Sequence, residues 1–234
     1  MSITIRSAQT IRDGVTLRGN TPPPPIVTAG LVLHYDFSNP ACYSTGTSIT
    51  DLSTVANTGT IVNDEGAISY GTTGLNSYFN WSTNAGESTI GSSIHTAVQN
   101  TSTDFTIVFQ PDFSATGIIG LFGVETDKSV RFPVADSSWA VNNPGDGNDW
   151  AYPNPATYYI NGQTSITPVA GWNIMGGSRT NNEWTMPNGL YIGTSVYAHR
   201  HFQGQIALVL MYNRALTQAE QLQNYAALRA RFGL

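Results

Sequence analysis

The sequence holds a single cysteine, Cys42, so no disulfide can form within the chain. No grouping of histidine with asparagine or aspartate marks Cys42 as a nucleophile, and it reads as a small buried apolar residue. Charge is scarce as well: charged residues make up 11% of the chain, less than half the usual share. No stretch reaches the ~18 apolar residues that a membrane-spanning helix needs. The N-terminus alternates polar and apolar residues and lacks the continuous apolar run of a signal peptide. These absences lead to an expectation of a protein made in a cytoplasm, neither exported by the usual route nor inserted in a membrane. On that reading the sequons Asn80-Trp81-Ser82 and Asn100-Thr101-Ser102 are chance matches. The net charge of −5 supplies no basic stripe to neutralise phosphates, which argues against nucleic acid as a partner.

Glycine, serine, threonine and asparagine are plentiful, and the 40% hydrophobic content is enough for a buried core. The apolar residues come in short alternating runs. In "GLVLHYDF" (30–37) Leu31, Leu33, Tyr35 and Phe37 share one face; in "DFTIVFQP" (104–111) Phe105, Ile107 and Phe109 do. "GIIGLFGV" (117–124) and "QGQIALVLMY" (203–212) are strong strands, and further candidates lie at 68–71, 76–81, 129–134, 138–142, 156–160, 164–168, 171–176 and 189–195. Asn161-Gly162 between two such runs predicts a two-residue hairpin, and Gly176-Gly177 reads as turn punctuation. The pattern predicts an all-β fold, a two-sheet antiparallel jelly-roll sandwich. Its tail differs. Thr217 followed by Glu220 is a capping box. Leu222, Tyr225, Ala226, Leu228 and Phe232 recur at helical spacing, with Arg229 and Arg231 in the last turn, which predicts a C-terminal helix over 217–231.

Three regions separate. Residues 1–20 form an extended β arm in which Thr, then Ile or Leu, then Arg recurs every six residues. Residues 21–28, "TPPPPIVT", are a proline-rich linker with the stiffness of polyproline II. Residues 29–234 are the sandwich with its helix. The arm carries Arg6, Arg12 and Arg18 against Asp13 alone, a cationic segment on an acidic body. Alternation sends Ile3, Ile5, Ile11, Val15 and Leu17 to one side and the arginines to the other. Some 20 residues cannot offset their own ordering entropy, so these strands call for an external partner: an edge of another protein's sheet, or two more copies of the arm in a homotrimer.

The segments "AGLVLHYDFSNPACY" and "FQGQIALVLMYNRALTQAEQLQNYAALRARFGL" resemble the concanavalin A-like lectin/glucanase superfamily, and within it the laminin G-like jelly roll of phage virion structural proteins. "DLSTVANTGTIVN" (51–63) resembles the second motif of that branch without its usual Trp and Gly-Asn, and "STDFTIVFQPDF" (102–113) the strand where Phe109 stands near an aromatic slot. The resemblance covers about residues 29–234 and implies a jelly roll that serves lectins, glucanases, adhesion modules and virion decorations alike.

The glucanases of that superfamily use a Glu-x-Asp-x-x-Glu strand. Here Glu125-Thr126-Asp127-Lys128-Ser129-Val130 ends in a valine, which cannot transfer a proton, so no acid/base pair forms on this pattern and the expectation is a chain without enzymatic activity. No metal or cofactor site is predicted. "DGNDW" (146–150) starts like a calcium loop at Asp146 and Asn148 but departs from the pattern at Trp150 and Ala151, which leaves calcium as the alternative to an Asx-rich turn. His199 and His201 lack further ligands for zinc. Two loops rich in aromatic and hydrogen-bonding groups are the candidate contact or sugar-binding sites: Trp139, Asp146, Asn148, Trp150 and Tyr152 in 137–155, and Arg179 and Trp184 in 178–189. The anchoring residues are Ile3, Ile5, Arg6, Ile11, Arg12, Leu17 and Arg18. Together these predict a virion structural protein, a capsid decoration or tail-associated adhesin. Its arm would engage capsid or tail proteins while the sandwich faces a host-surface carbohydrate. A carbohydrate-binding lectin oligomerised by its arm is the alternative, and a glycoside hydrolase ranks third.

Overall fold

The computed structural model describes residues 9–11, 15–17, 22–62, 67–82, 92–96, 98, 104–114, 118–124, 128–133, 156–165, 167–179, 189–194 and 201–234. In the arm, β1 (Gln9–Ile11) pairs antiparallel with β2 (Val15–Leu17), Thr10 facing Thr16. The body comprises β3 (Leu31–Asp36), β4 (Ser48–Ile49), β5 (Gly59–Val62), β6 (Ile68–Thr73), β7 (Asn76–Trp81), β8 (Ser93–Thr96), β9 (Asp104–Pro111) and β10 (Ile118–Val124). It continues with β11 (Lys128–Pro133), β12 (Ala156–Ile160), β13 (Gln163–Thr164), β14 (Asn173–Arg179), β15 (Leu190–Ile192) and β16 (Gly204–Tyr212), then helix α1 (Gln218–Leu228) and a 3-10 turn, Arg229–Phe232.

The strands form two antiparallel sheets, as the alternation predicts. One runs β11-β10-β15-β8-β5-β4; the other runs β13-β12-β14-β9-β16-β7-β6, with β3 also paired to β16. Leu33, Tyr35, Phe79, Trp81, Phe105, Ile107 and Phe109 meet Ile94, Leu121, Phe122 and Ile192 between the sheets. Each large apolar side chain buried there contributes about 1.5–3 kcal/mol. A second cluster lies on the outer face of the larger sheet, where Val108, Ile174, Leu208, Leu210 and Tyr212 are covered by Leu216, Leu228, Phe232 and Val27. The central strands β9 and β16 are therefore buried on both faces, so their apolar content runs nearly unbroken.

Strand β16 carries a bulge. Ile206 faces Phe109 across β9 while Leu208 faces Val108, so Ala207 is the extra residue. Beyond it the neighbour on the other side changes: β7 pairs with Gly204–Ile206, β3 with Leu208–Tyr212. This break divides the outer face into a half covered by the helix and a half that is not.

The helix is capped as predicted. Thr217 Oγ1 accepts from the Glu220 N–H and Glu220 accepts from the Thr217 N–H. Two hydrogen bonds from Arg214 (3.0 and 2.5 Å), then the Thr217 N–H, hold the Glu220 carboxyl down at about 2. Its buried face corrects the expected stripe. Leu222 is 39% exposed, whereas Gln221, Asn224 and Leu228 are buried. Gln221 donates to the Gly177 carbonyl (3.2 Å), and any side chain at Gly176 would overlap it. Gly176-Gly177 is thus not a turn but the middle of β14, bare so that the helix and the Phe105 ring can approach. The helix also ends earlier than predicted: Arg231 lies in the 3-10 turn and forms a bidentate pair with Asp36 on β3 (2.7 Å each) instead of closing the last helical turn.

Other departures are local. The strand expected at 164–168 is only Gln163–Thr164, and that at 138–142 lies outside the described residues. The Asn161-Gly162 hairpin stands, with φ of 51° and 77°. Pro22–Pro25 are exposed, but Val27 is buried, so the end of the linker belongs to the packed domain. No helix among the described residues is long and apolar enough to cross a membrane.

Candidate functional site

On the uncovered half of the outer face the ends of three strands form an open groove of about 450 Å³. It is lined by Asn80, Trp81 and Ser82 from β7 and the residue after it, by Gln110 to Phe113 from β9 and its following turn, and by Gly204 and Gln205 from β16. Register explains the arrangement. Gln205 lies opposite Asn80 on one side and Gln110 on the other. Their neighbours Phe79, Trp81, Phe109 and Ile206 point into the inter-sheet core, so by alternation all three amides stand on the outer face. Strands are spaced ~4.8 Å apart, so the row extends about 10 Å across the sheet. Gly204 forms the floor. Its φ is +135°, and a Cβ there would run into the Gln110 carbonyl oxygen. Phe113, 41% exposed, sits at the rim.

The other amides of this face show what is unusual about the row. Asn224 is fully buried and satisfied: it accepts from the Val27 N–H (2.8 Å) and donates to Thr106 Oγ1 and the Tyr212 hydroxyl (3.0 Å each). Asn173 is equally buried and bonds Val169 and Gly171. The side chains of Asn80, Gln110 and Gln205 are only partly buried, yet none hydrogen-bonds any described residue. Each offers two N–H donors and a carbonyl acceptor into the groove. Beside them Gln203 keeps its Oε1 buried with no partner among the described residues. Asp112 uses one carboxylate oxygen to accept from the Ser114 N–H (2.9 Å) and hydroxyl (2.6 Å). The arrangement suits a ligand rich in hydroxyls: paired donors and acceptors in a line, with an exposed aromatic ring at the rim.

Sequence reasoning missed this site. Gln110 and Gln205 were visible only as polar positions ending apolar strands, and nothing in one dimension connects residues 80, 110 and 205. The loops it favoured are not placed: Trp139, Asp146, Asn148, Trp150, Tyr152 and Trp184 lie outside the described residues, and Arg179 is placed only as the last residue of β14. The calcium alternative at Asp146 and Asn148 falls outside them too; among the described residues no group of three His, Cys, Asp or Glu side chains could hold a metal. Of the anchoring residues, Ile11 and Leu17 lie in β1 and β2, while Ile3, Ile5, Arg6, Arg12 and Arg18 lie outside. The second and third hexads find a partner in each other, although a two-stranded ribbon is marginal alone. Val130, at the end of the incomplete glucanase pattern, is buried in the core. Cys42 is buried as expected, and burial pushes its thiol up to about 12, so it is no nucleophile at neutral pH.

No family model and no curated protein matches the chain. Solved structures do. Domain 4 of an extracellular GH43 arabinanase from Geobacillus stearothermophilus, in complex with arabinotriose, superposes with a TM-score of 0.51 at 16% identity, over 85% of this chain and all of that one. Trypanosoma rangeli sialidase in complex with a difluoro-nononic acid superposes with a TM-score of 0.53 at 14% identity, over 95% of this chain and 35% of that one. Its covalent intermediate with 2,3-difluorosialic acid gives 0.52 at 15% identity, over 93% and 35%. This chain thus spans about a third of the sialidase. At such identities the likeness is one of fold, a β-sandwich that occurs in carbohydrate-active proteins. It also corrects the expectation of a chain without enzymatic activity: the fold recurs as a domain of a glycoside hydrolase and over about a third of a sialidase, so the missing second glutamate does not exclude an enzyme.

Proposed function

We propose that this chain is a concanavalin A-like, laminin G-like domain that recognises carbohydrate, and that the groove over Asn80, Gln110 and Gln205 is where a glycan lies. The observation that carries the reading is the row itself: three carboxamides in register on adjacent strands, partly buried and without side-chain hydrogen bonds to any described residue. Amides that face an open groove without protein partners bond water, and sugar hydroxyls, donor and acceptor at once, can take the place of that water. Phe113 adds an apolar surface for the C–H face of a sugar ring. The arabinotriose complex of the arabinanase domain supports the same class of ligand. Gln205 is the middle member, so Gln205→Ala is expected to remove about two hydrogen bonds. At about 0.5–1.5 kcal/mol each, that weakens glycan binding by a factor of roughly 5 to 150 in titration calorimetry against a panel of arabino-, xylo- and gluco-oligosaccharides. Binding unchanged by Gln205→Ala would move the site elsewhere.

The period-six arm supports a second element of the reading, in which the domain is displayed on a virion and the arm engages capsid or tail proteins or its own copies. The β1–β2 ribbon is too small to be stable alone. Deleting residues 1–20 is expected to leave a folded sandwich that is monomeric by light scattering and no longer joins particles. Unchanged assembly would rule the arm out as the anchor.

A further inference from the structure

We infer that the groove selects uncharged glycans and that Asp112 is the residue that turns acidic ones away; this rests on the glycan reading of the same groove. Among the lining residues Asp112 is the one with a formal charge, and no lysine, arginine or histidine accompanies it. Only one of its carboxylate oxygens is engaged, by Ser114; the other has no partner among the described residues. The two described salt bridges, Arg214–Glu220 and Arg231–Asp36, involve other residues, so no described cation pairs with Asp112. The described lining therefore presents one negative charge beside three neutral amides, on a chain of net charge −5.

Sugar carboxylates are commonly held by arginine forks, lysines or helix N-termini. None of these is among the described residues that line this groove. A uronate or sialate lying along the amide row would bring its carboxylate within several ångströms of Asp112. Like charges ~6 Å apart at a protein surface repel enough to change an affinity about tenfold, less as salt screens them. The amides donate to a carboxylate and to a hydroxyl alike, and they supply no positive charge to offset the repulsion. Neutral chains incur no such penalty and use both halves of every amide. Asp112 is on this account a specificity-determining residue that acts through space on the ligand's charge.

The test titrates the full chain at low salt with matched probes: xylo-oligosaccharides with and without a glucuronate branch, and lactose-based oligosaccharides with and without terminal sialic acid. The neutral member of each pair is expected to bind about tenfold more tightly. Asp112→Asn, which keeps the Ser114 hydrogen bonds with nearly the same shape, is expected to reduce that ratio to near one, as is raising ionic strength to ~1 M. Equal or tighter binding of the acidic members by the native chain overturns this inference while the glycan reading stands. A ratio unchanged in Asp112→Asn also overturns it, since the rejection then has another source. If no member of either pair binds, the glycan reading itself fails, and this inference with it.

Discussion

Gly204→Ala is expected to lower the stability of the domain by roughly 2–6 kcal/mol, a large part of what a domain of this kind possesses. Two effects add. At φ +135° an alanine is strained whatever the surrounding space. Here there is no space: the new methyl would overlap the Gln110 carbonyl oxygen and sit 3.1 Å from the Asp112 nitrogen. Those atoms belong to the backbone of β9 and of the residue after it, beside the strand to which β16 is paired from Gly204 to Tyr212, so they cannot rotate aside. The two central strands must part at that end. Urea denaturation reads the effect as a lower midpoint at unchanged slope. Gly74→Ala is the control, because φ is +62° there but nothing lies within 4 Å, leaving a strain cost of about 1 kcal/mol. Equal losses in the two variants would contradict the argument from overlap.

The second large effect is expected at Asn224. Truncation to alanine removes three hydrogen bonds at a fully buried position and leaves the Val27 N–H, itself buried, without an acceptor. The Tyr212 hydroxyl keeps its own bond to the Val27 carbonyl (3.1 Å) but loses the Asn224 donor. An orphaned buried amide alone costs about 1–3 kcal/mol, and the void adds to it, so a loss of roughly 2–4 kcal/mol is expected. Amide exchange at Val27 should accelerate by a similar factor if the segment before β3 comes loose. Leu222→Ala is the comparison. The helical stripe read from the sequence includes Leu222, but its side chain is 39% exposed and its removal should fall within about 0.5 kcal/mol of neutral. The reverse order, Leu222 mattering more than Asn224, would show that the helix packs on its apolar stripe after all.

That contrast shows where the sequence is legible. The strands that alternate strongly, such as Leu31–Asp36, Asn76–Trp81 and Asp104–Pro111, lie where periodicity puts them, as do the Asn161-Gly162 turn and the Thr217 cap. Each is specified by residues close together in the chain. β4, β5 and β8 escaped because they are two to four residues long and show too little alternation to register. Gly176-Gly177 misled because glycine in sequence signals a turn, whereas here the lack of a side chain makes room for Gln221 and Phe105. The helix misled because its inner face bonds the sheet through amides, which no hydrophobic pattern records. The groove was hidden for a further reason. Asn80, Gln110 and Gln205 become neighbours only through strand order and register, and the register of β16 depends on the bulge at Ala207.

The bond between Val27 and the helix has a consequence for how such a domain is joined to others. Pro25 and Val27, on the way in, are stitched through Gln223 and Asn224 to the helix on the way out. The exit runs on to Arg231, held at Asp36 and Asn76, while the entry meets the helix beside the Tyr212 end of β16. The groove opens at the Gly204 end, roughly 25 Å away at the rise of a strand. A neighbour attached before the unit therefore joins it at the end of β16 opposite the groove, where Asn224 ties the entry segment to the sheet.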